Sequence, residues 1–435
     1  MALKLALVRP NLGDYRSSDA MPPLAAGILA ARASGFEVAF HDEKAEPLPT
    51  DDRPDLAALS VETYTARRAY AIADAYRARG VTVAMGGYHP TFLPDEALEH
   101  ADAVVVGDAE GAWERLLADF ASGRIHRRYD GDHARPLDDY RIDRSIYRGK
   151  RYAPIEVVQF SRGCRFRCDF CSIHSFYGTS LRARPLDGLL TEIESLPRNR
   201  LLFFVDDNLF GRRSELCALL DALAPLRRRW TCQISIDVAR DERLLDRMQA
   251  AGCRFVLIGF ESLNAESLEQ MGKSWNAVSG SYTRVARALH ERGIGIYGTF
   301  LFGYDADTVD SIARTLEFAL ESRLELGNFN PLTPMPGSAL YERLERERRL
   351  LWPKWWLDPT YRYGRAVFEP RGMRADELTE GVFEARRRFY SWKSIGLRVL
   401  DGDASFSPFH LGTTAVGNII SRREIYKKQE RTLGV

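Results

Sequence analysis

The sequence predicts an α/β protein in three parts: a doubly wound parallel sheet, a (βα)6 partial barrel and a mostly helical C-terminal cap. Three observations carry that expectation. Over residues 1–122 short apolar runs alternate with helical patterns. After a polar stretch the alternation resumes at residue 155 with six apolar runs, the first five each followed by a helical pattern. Runs such as LLFFV and FVLIGF are apolar on both faces, as parallel strands covered by helices must be.

Size and charge narrow the function classes. At 435 residues the chain exceeds what one hydrophobic core usually supports, so more than one domain is expected. The 61 basic and 60 acidic side chains leave a formal charge of +1, which gives no electrostatic reason to expect nucleic acid or an anionic membrane as partner. MALKLALVRPNL holds too short an apolar run for a signal peptide, and no 18-residue apolar stretch occurs, so a cytoplasmic protein without a membrane span is expected. Six cysteines are too few for a disulfide scaffold in such a chain; a tight group of them points to metal or redox chemistry.

The first domain, residues 1–122, runs LKLALV, a helix near PPLAAGILAARA, FEVAFHD, DLAALSV, the helix YTARRAYAIADAYRARG, VTVAMGG and ADAVVVGD. Ligands of such sheets bind beyond the carboxyl ends of the strands. Those ends carry Asn11, then Ser60, Glu62 and Thr63, then Gly86, Gly87 and His89 of GGYHPT, then Gly107 of GDAEG. Gly86 and Gly87 allow a ligand close to the backbone or a turn with positive φ. Residues 123–152 are charged and aperiodic, a linker whose arginines face water.

The barrel, residues 153–340, comprises IEVVQFS, a helix at 186–196, LLFFVDD, a helix at 213–225, WTCQISID, a helix at 241–251, FVLIGFE, a helix at 277–292, IYGTFLFG, a helix at 306–321 and LELGNFNP. Function is expected at the carboxyl ends of these strands. The cap, residues 341–435, holds LLWPKWWLDPTYRYG at 350–364, continues in a helix at 375–399 with arginines at 386–388, and ends in a basic tail expected to face water. Trp355, Trp356 and Tyr361 could wall a site for an apolar or planar substrate, or simply pack the cap onto the barrel.

SRGCRFRCDFCSIHSF, residues 161–176, places Cys164, Cys168 and Cys171 directly after the first barrel strand with the spacing C-x3-C-x2-C. Three thiolates on one loop can occupy three corners of a [4Fe-4S] cluster and leave the fourth iron open. With His174 the same residues could make a Cys3His zinc site. Position favours the cluster, because a loop at the mouth of a large α/β layer has no need of a structural staple. Cys217, Cys232 and Cys253 are expected to be buried thiols.

This loop resembles that of the radical S-adenosylmethionine superfamily, in which an aromatic residue, here Phe170, precedes the last cysteine. The resemblance implies that the open iron binds S-adenosylmethionine, whose reductive cleavage gives a 5'-deoxyadenosyl radical. It also implies cofactor contacts from Asp206, Asp207 and Asn208 at the end of the second strand, Ser235 and Asp237 at the third, Glu261 at the fourth, and Leu332 in the turn after the sixth. A strand-end carboxylate could instead cap the following helix.

With the first domain included, residues 3–345 are similar to the branch that carries an N-terminal Rossmann-like, B12-binding-type domain. That likeness implies cobalamin between the domains, its tail in the first crevice, although no D-x-H-x-x-G motif supplies a cobalt ligand and His89 is expected only to touch the loop or tail. The implied activity is cobalamin-dependent C-methylation of a small-molecule substrate, with a flavodoxin or ferredoxin as reductant. Radical cyclisation, ring contraction or rearrangement is the alternative within the superfamily, and a zinc- or corrinoid-binding scaffold or sensor the alternative outside it. No residue stands out as a general base.

Overall fold

The computed structural model describes residues 2–49, 51–209, 211–277, 282–400 and 407–435. Its first sheet consists of β1 (Leu3–Arg9), β2 (Phe36–Asp42), β3 (Leu56–Ser60), β4 (Thr82–Gly86), β5 (Ala103–Val106) and β6 (Arg128–Asp130). The strands are all parallel in the order β2-β1-β3-β4-β5-β6. Strand order reverses between β1 and β3, so the crevice opens above their carboxyl ends. β6 lies inside the stretch expected to be a linker. Tyr129 explains its place in the sheet, since it buries its ring while Arg128 and Asp130 stay outside. Nor is that stretch uniformly solvated, because Arg144 is drawn in by Glu192 at 2.5 Å.

The second sheet contains β7 (Ile155–Val158), β8 (Leu201–Phe204), β9 (Trp230–Ile234), β10 (Cys253–Glu261), β11 (Gly295–Phe302) and β12 (Leu326–Pro331), parallel and in sequential order. Helices Leu186–Ser195, Arg213–Leu223, Glu242–Ala250, Tyr282–His290 and Val309–Glu321 fill the crossovers. Of the helix expected from 277, residues 278–281 lie outside the described residues.

Side-chain alternation separates the outside of this half-barrel from its lumen. Phe300 and Phe329 are fully buried and meet Phe318 and Phe389 of the covering helices. The intervening Tyr297, Thr299, Leu301, Leu326, Asn328 and Asn330 are only half-buried, and so face the lumen.

The cap differs from the expected pattern in two ways. The helix expected at 375–399 is two, Ala375–Phe389 and Trp392–Leu400. Tyr390 ends the first by donating its hydroxyl to Gly327 O at 3.0 Å, and Ser391 starts the second by accepting from Ser394 N. The polar tail forms the helix Pro408–Lys428, and its buried face is itself polar: His410, Thr414, Asn418 and Glu424. His410 reaches Glu325 Oε1 at 3.2 Å while His290 reaches Oε2 at 3.3 Å, and Asn418 donates to Glu325 O.

Burial pushes the Glu325 carboxyl up, but the two histidines outweigh it and hold the group down at about 2. Replacing Glu325 by alanine would leave the histidines facing an apolar gap and is expected to cost roughly 3–5 kcal/mol in denaturant unfolding. Since the folded pKa is depressed, the stabilisation is present above the ordinary carboxylate range and is lost as pH falls toward 2. The unfolding gap between wild type and Glu325→Gln should therefore narrow on acidification; a constant gap would disprove this assignment.

Candidate active site between the two domains

The cysteine loop leaves β7 and is gripped by the end of β8. Asp206, fully buried, accepts hydrogen bonds from Phe160 N at 3.1 Å, Ser161 Oγ at 2.6 Å and Ser161 N, and burial lifts its carboxyl to about 7. Asp207 accepts from Gly163 N at 2.7 Å. Gly163 has φ +94°, and a Cβ there would stand 1.9 Å from Ser180 O. The expected cofactor contacts Asp206 and Asp207 thus anchor the backbone of the loop itself, and Asp206 has its oxygens taken up within the chain.

Beyond Gly163, Cys164 lies beside Asn208 at the end of β8, and Cys168 near Lys273 and near Glu261 at the end of β10. Cys171 precedes the helix Ser172–Tyr177, and its N–H bonds Cys168 O at 3.1 Å. Burial pushes the Cys168 thiol up to about 12, against the pull of the Lys273 ammonium, and raises Cys171 as well. Asn208 points Nδ2 at Cys164 Sγ, 3.9 Å away, and at Ser235 Oγ, 3.3 Å away. Phe170 packs half-buried against the core.

Among the described residues no three His, Cys, Asp or Glu side chains converge tightly enough to hold a single metal ion. His174 directs Nδ1 to Gly178 O at 3.1 Å. Three separated thiols on a shielded loop, with a lysine ammonium and an amide donor beside them, do suit an anionic cubane cluster.

The other expected contacts are brought to the same mouth. Glu261 has φ +63° and pairs with Lys273 Nζ at 2.8 Å, while Asp237 pairs with Arg165. Arg165 also lies over Phe166, which stacks on Trp275 with centroids 4.0 Å apart. Leu332 is buried, its N–H bonded to Phe302 O. Cys232 and Cys253 are buried, but Cys217 is half-exposed on its helix.

Across the domain boundary lies a cleft of about 510 Å³ lined from both sides. The first domain contributes Arg9, Ser60, Glu62, Gly86, Gly87 and Gly107 above apolar walls that include Leu24, Ile28 and Trp113. The barrel contributes Gln159, Arg162, Tyr177 and Val205. Gly87 has φ +108°, and a Cβ there would come within 2.8 Å of Val61 O. A cleft that combines apolar walls with polar strand-end groups suits a corrinoid, which presents an apolar ring edge and a polar tail.

A charged network holds the two walls together. Arg162, two residues before Cys164, forks onto Glu110 at 2.7 and 3.1 Å. Asp108 receives Arg182, the Tyr177 hydroxyl at 3.2 Å and Arg162 at 3.5 Å. GDAEG is expected at the rim of the crevice, but nothing in the sequence signals that its two carboxylates pair with the arginine of SRGC.

Several expected residues sit elsewhere. His89 is fully buried, 3.0 Å from the Tyr70 hydroxyl and 3.1 Å from Glu96, because the turn after Gly87 directs it into the domain. Asn11 is buried with Nδ2 donating to Tyr15 O, and Thr63 is buried behind His89; neither lines the cleft. Trp355, Trp356 and Tyr361 form no wall of that cleft. They are buried in edge-to-face contact, with the indoles donating to Pro334 O and Glu96, and so pack the cap onto both domains.

The fold and site thus define a two-domain α/β protein with a three-cysteine loop at the barrel mouth and a crevice lined by both domains. The model of the radical SAM superfamily matches residues 158–319 and that of the B12 binding domain residues 19–117. The chain is 33% identical over 391 residues to a bacteriochlorophyllide d C-12(1)-methyltransferase of Chlorobaculum tepidum, covering 87% of this chain and 84% of that one. A bacteriochlorophyllide d C-8(2)-methyltransferase of the same organism is 31% identical over 389 residues, covering 83% and 82%. The structure of the radical S-adenosylmethionine methyltransferase TsrM from Kitasatospora setae, with cobalamin and a [4Fe-4S] cluster bound, has the same fold, with a TM-score of 0.62 at 18% identity over 80% of this chain and 75% of that one.

The chain belongs to the radical SAM superfamily, in the branch with a B12-binding domain. It is an enzyme, and its cofactors are a [4Fe-4S] cluster, S-adenosylmethionine and cobalamin. Among the described residues no helix is long and apolar enough to cross a membrane.

Cys168→Ala is expected to abolish the brown charge-transfer absorption of anaerobically reconstituted protein and most of its bound iron. Gly163→Ala, which forces the loop off Ser180, should also lower bound iron while leaving the far-ultraviolet circular dichroism unchanged. Full iron content in both variants would refute the proposed ligation.

Proposed function

We propose that the enzyme methylates a carbon of a largely apolar small molecule, using S-adenosylmethionine as methyl source and cobalamin as methyl carrier. The observation that carries this reading is the cleft shared by both domains, whose barrel-side residue Arg162 is two positions from Cys164. A corrinoid held there would lie beside the cluster loop, as transfer to a nearby carbon requires. Names of the more similar relatives, both bacteriochlorophyllide methyltransferases, support the same chemistry and make a ring-bearing substrate the reading to test first.

When bound, the cluster supplies an electron to the sulfonium and the corrinoid carries the methyl group. We assign cluster ligation to Cys164, Cys168 and Cys171. Asn208, Ser235 and Glu261 are the strand-end groups left to meet S-adenosylmethionine, with Asp207 holding the loop at Gly163. The half-buried residues Tyr297, Thr299, Leu301, Asn328 and Asn330 offer the substrate a lumen of mixed polarity, with a tyrosine ring and a leucine among several hydrogen-bonding points. Keeping water out of this lumen would spare the reactive carbon. A flavodoxin- or ferredoxin-type donor would deliver the electron.

Anaerobic turnover with methyl-labelled S-adenosylmethionine, read by mass spectrometry, should give a product bearing the labelled methyl group together with S-adenosylhomocysteine and 5'-deoxyadenosine. Product lacking the label would replace this reading by radical cyclisation or rearrangement. Glu110→Ala, which frees Arg162 to move, is expected to lower methylated product roughly ten- to hundredfold by misaligning the two walls, with iron content retained. Methylation at the wild-type rate would show that the network has no positioning role.

A further inference from the structure

One buried cation at this site lacks an acidic partner. Arg386, on the helix Ala375–Phe389, is 8% exposed, whereas its neighbour Arg387 pairs with Glu384 at the surface. Its Nε donates to Phe329 O at 2.6 Å and its Nη2 to Asn330 Oδ1 at 2.8 Å. Nη1 makes no hydrogen bond, yet it is not sealed in by packing. No carboxylate among the described residues forms an ion pair with Arg386; the ionisable groups around it include the phenols of Tyr64, Tyr297, Tyr361, Tyr363 and Tyr390.

Of the other buried guanidiniums, Arg32, Arg162 and Arg184 pair with carboxylates. Arg228 and Arg398 also have no carboxylate, but both of their Nη atoms are taken up, in Arg228 by three backbone carbonyls and in Arg398 by three carbonyls and Asn418, whereas Nη1 of Arg386 is not. Burying a charge without a counter-charge is unfavourable, and at a functional site the missing partner is commonly a ligand. Burial alone works against the charged form of Arg386.

Its position points to which ligand. Phe329 and Asn330 stand near the carboxyl end of β12, where Asn330 looks into the lumen. Tyr64, from the loop after β3, reaches the same place and donates its hydroxyl to Thr333 Oγ1 at 3.1 Å. Arg386 therefore reaches from the cap to the last barrel strand, beside the first domain, with Nη1 and the second hydrogen of Nη2 left over. That edge of the guanidinium matches a carboxylate, to which it can give two parallel hydrogen bonds.

We propose that Arg386 binds a carboxylate of the substrate, so that the substrate is an apolar-bodied carboxylic acid oriented by its acid group in the lumen. This rests on the methyltransferase reading only for the word substrate, because the test measures binding and needs no turnover. Cobalamin-loaded, cluster-reconstituted enzyme, with S-adenosylmethionine present so that the carboxylate of that cofactor is already in place, is titrated by fluorescence with pyrenebutyrate and with its methyl ester.

The wild type is expected to bind the acid about tenfold or more tighter than the ester. Arg386→Gln should erase that preference and Arg386→Lys keep part of it, while cobalamin content reports on folding. No acid preference in the wild type, whether both probes bind alike or neither binds, overturns the proposal independently of how the variants fold. So does a preference that survives in Arg386→Gln, or a variant that weakens only S-adenosylmethionine. Acid-selective binding without methylated product would leave the proposal standing and count against the methyltransferase reading.

Discussion

The geometry of this enzyme depends on a guanidinium held between two carboxylates. Arg162 belongs to the barrel, Asp108 and Glu110 to the first sheet, and nothing in the winding of either sheet dictates the distance between them. Buried ion pairs add little net stability, because desolvation cancels most of the attraction. What they add is direction, since a forked pair holds two surfaces in one orientation. Here the oriented surfaces are the loop that carries the cysteines and the rim of the crevice.

The same economy operates at the end of β8. Asp206 and Asp207 are consecutive, so a single strand end grips the loop at Ser161 and again at Gly163. The loop needs that support because its next residues carry no regular secondary structure before Cys171. Strain is present as well: Glu261 keeps a left-handed backbone, rare for a residue with a side chain, and its carboxylate is held by Lys273. Conformations of this kind persist where the surroundings over-determine them, which is the condition of a site built to receive a cofactor.

Apolar periodicity made both sheets legible, because parallel strands bury both faces and announce themselves as runs such as FVLIGF. The cysteines were legible because three thiols so close together in one loop rarely serve anything but a metal or a redox step. Elements held by polar contacts were not. The helix Pro408–Lys428 buries His410 and Asn418 rather than leucines, so it carries no amphipathic signal. β6 is three residues long with one buried side chain, below what a periodic pattern can reveal. His89 looked like a ligand contact because it follows two glycines, yet the positive φ at Gly87 turns it inward to Glu96. The tryptophans of the cap were ambiguous from residue type alone, and burial of their indole N–H groups against Pro334 and Glu96 resolves them as packing.

The helix Pro408–Lys428 touches both halves of the molecule: His410 meets Glu325 under the barrel, and Glu424 accepts from Ser18 N in the first domain. Such a clasp makes the two halves share one fate: parting them would have to break the Glu424 contact as well as the Arg162 fork and the Trp356–Glu96 bond, so a lesion in the distal helix is felt at the domain boundary.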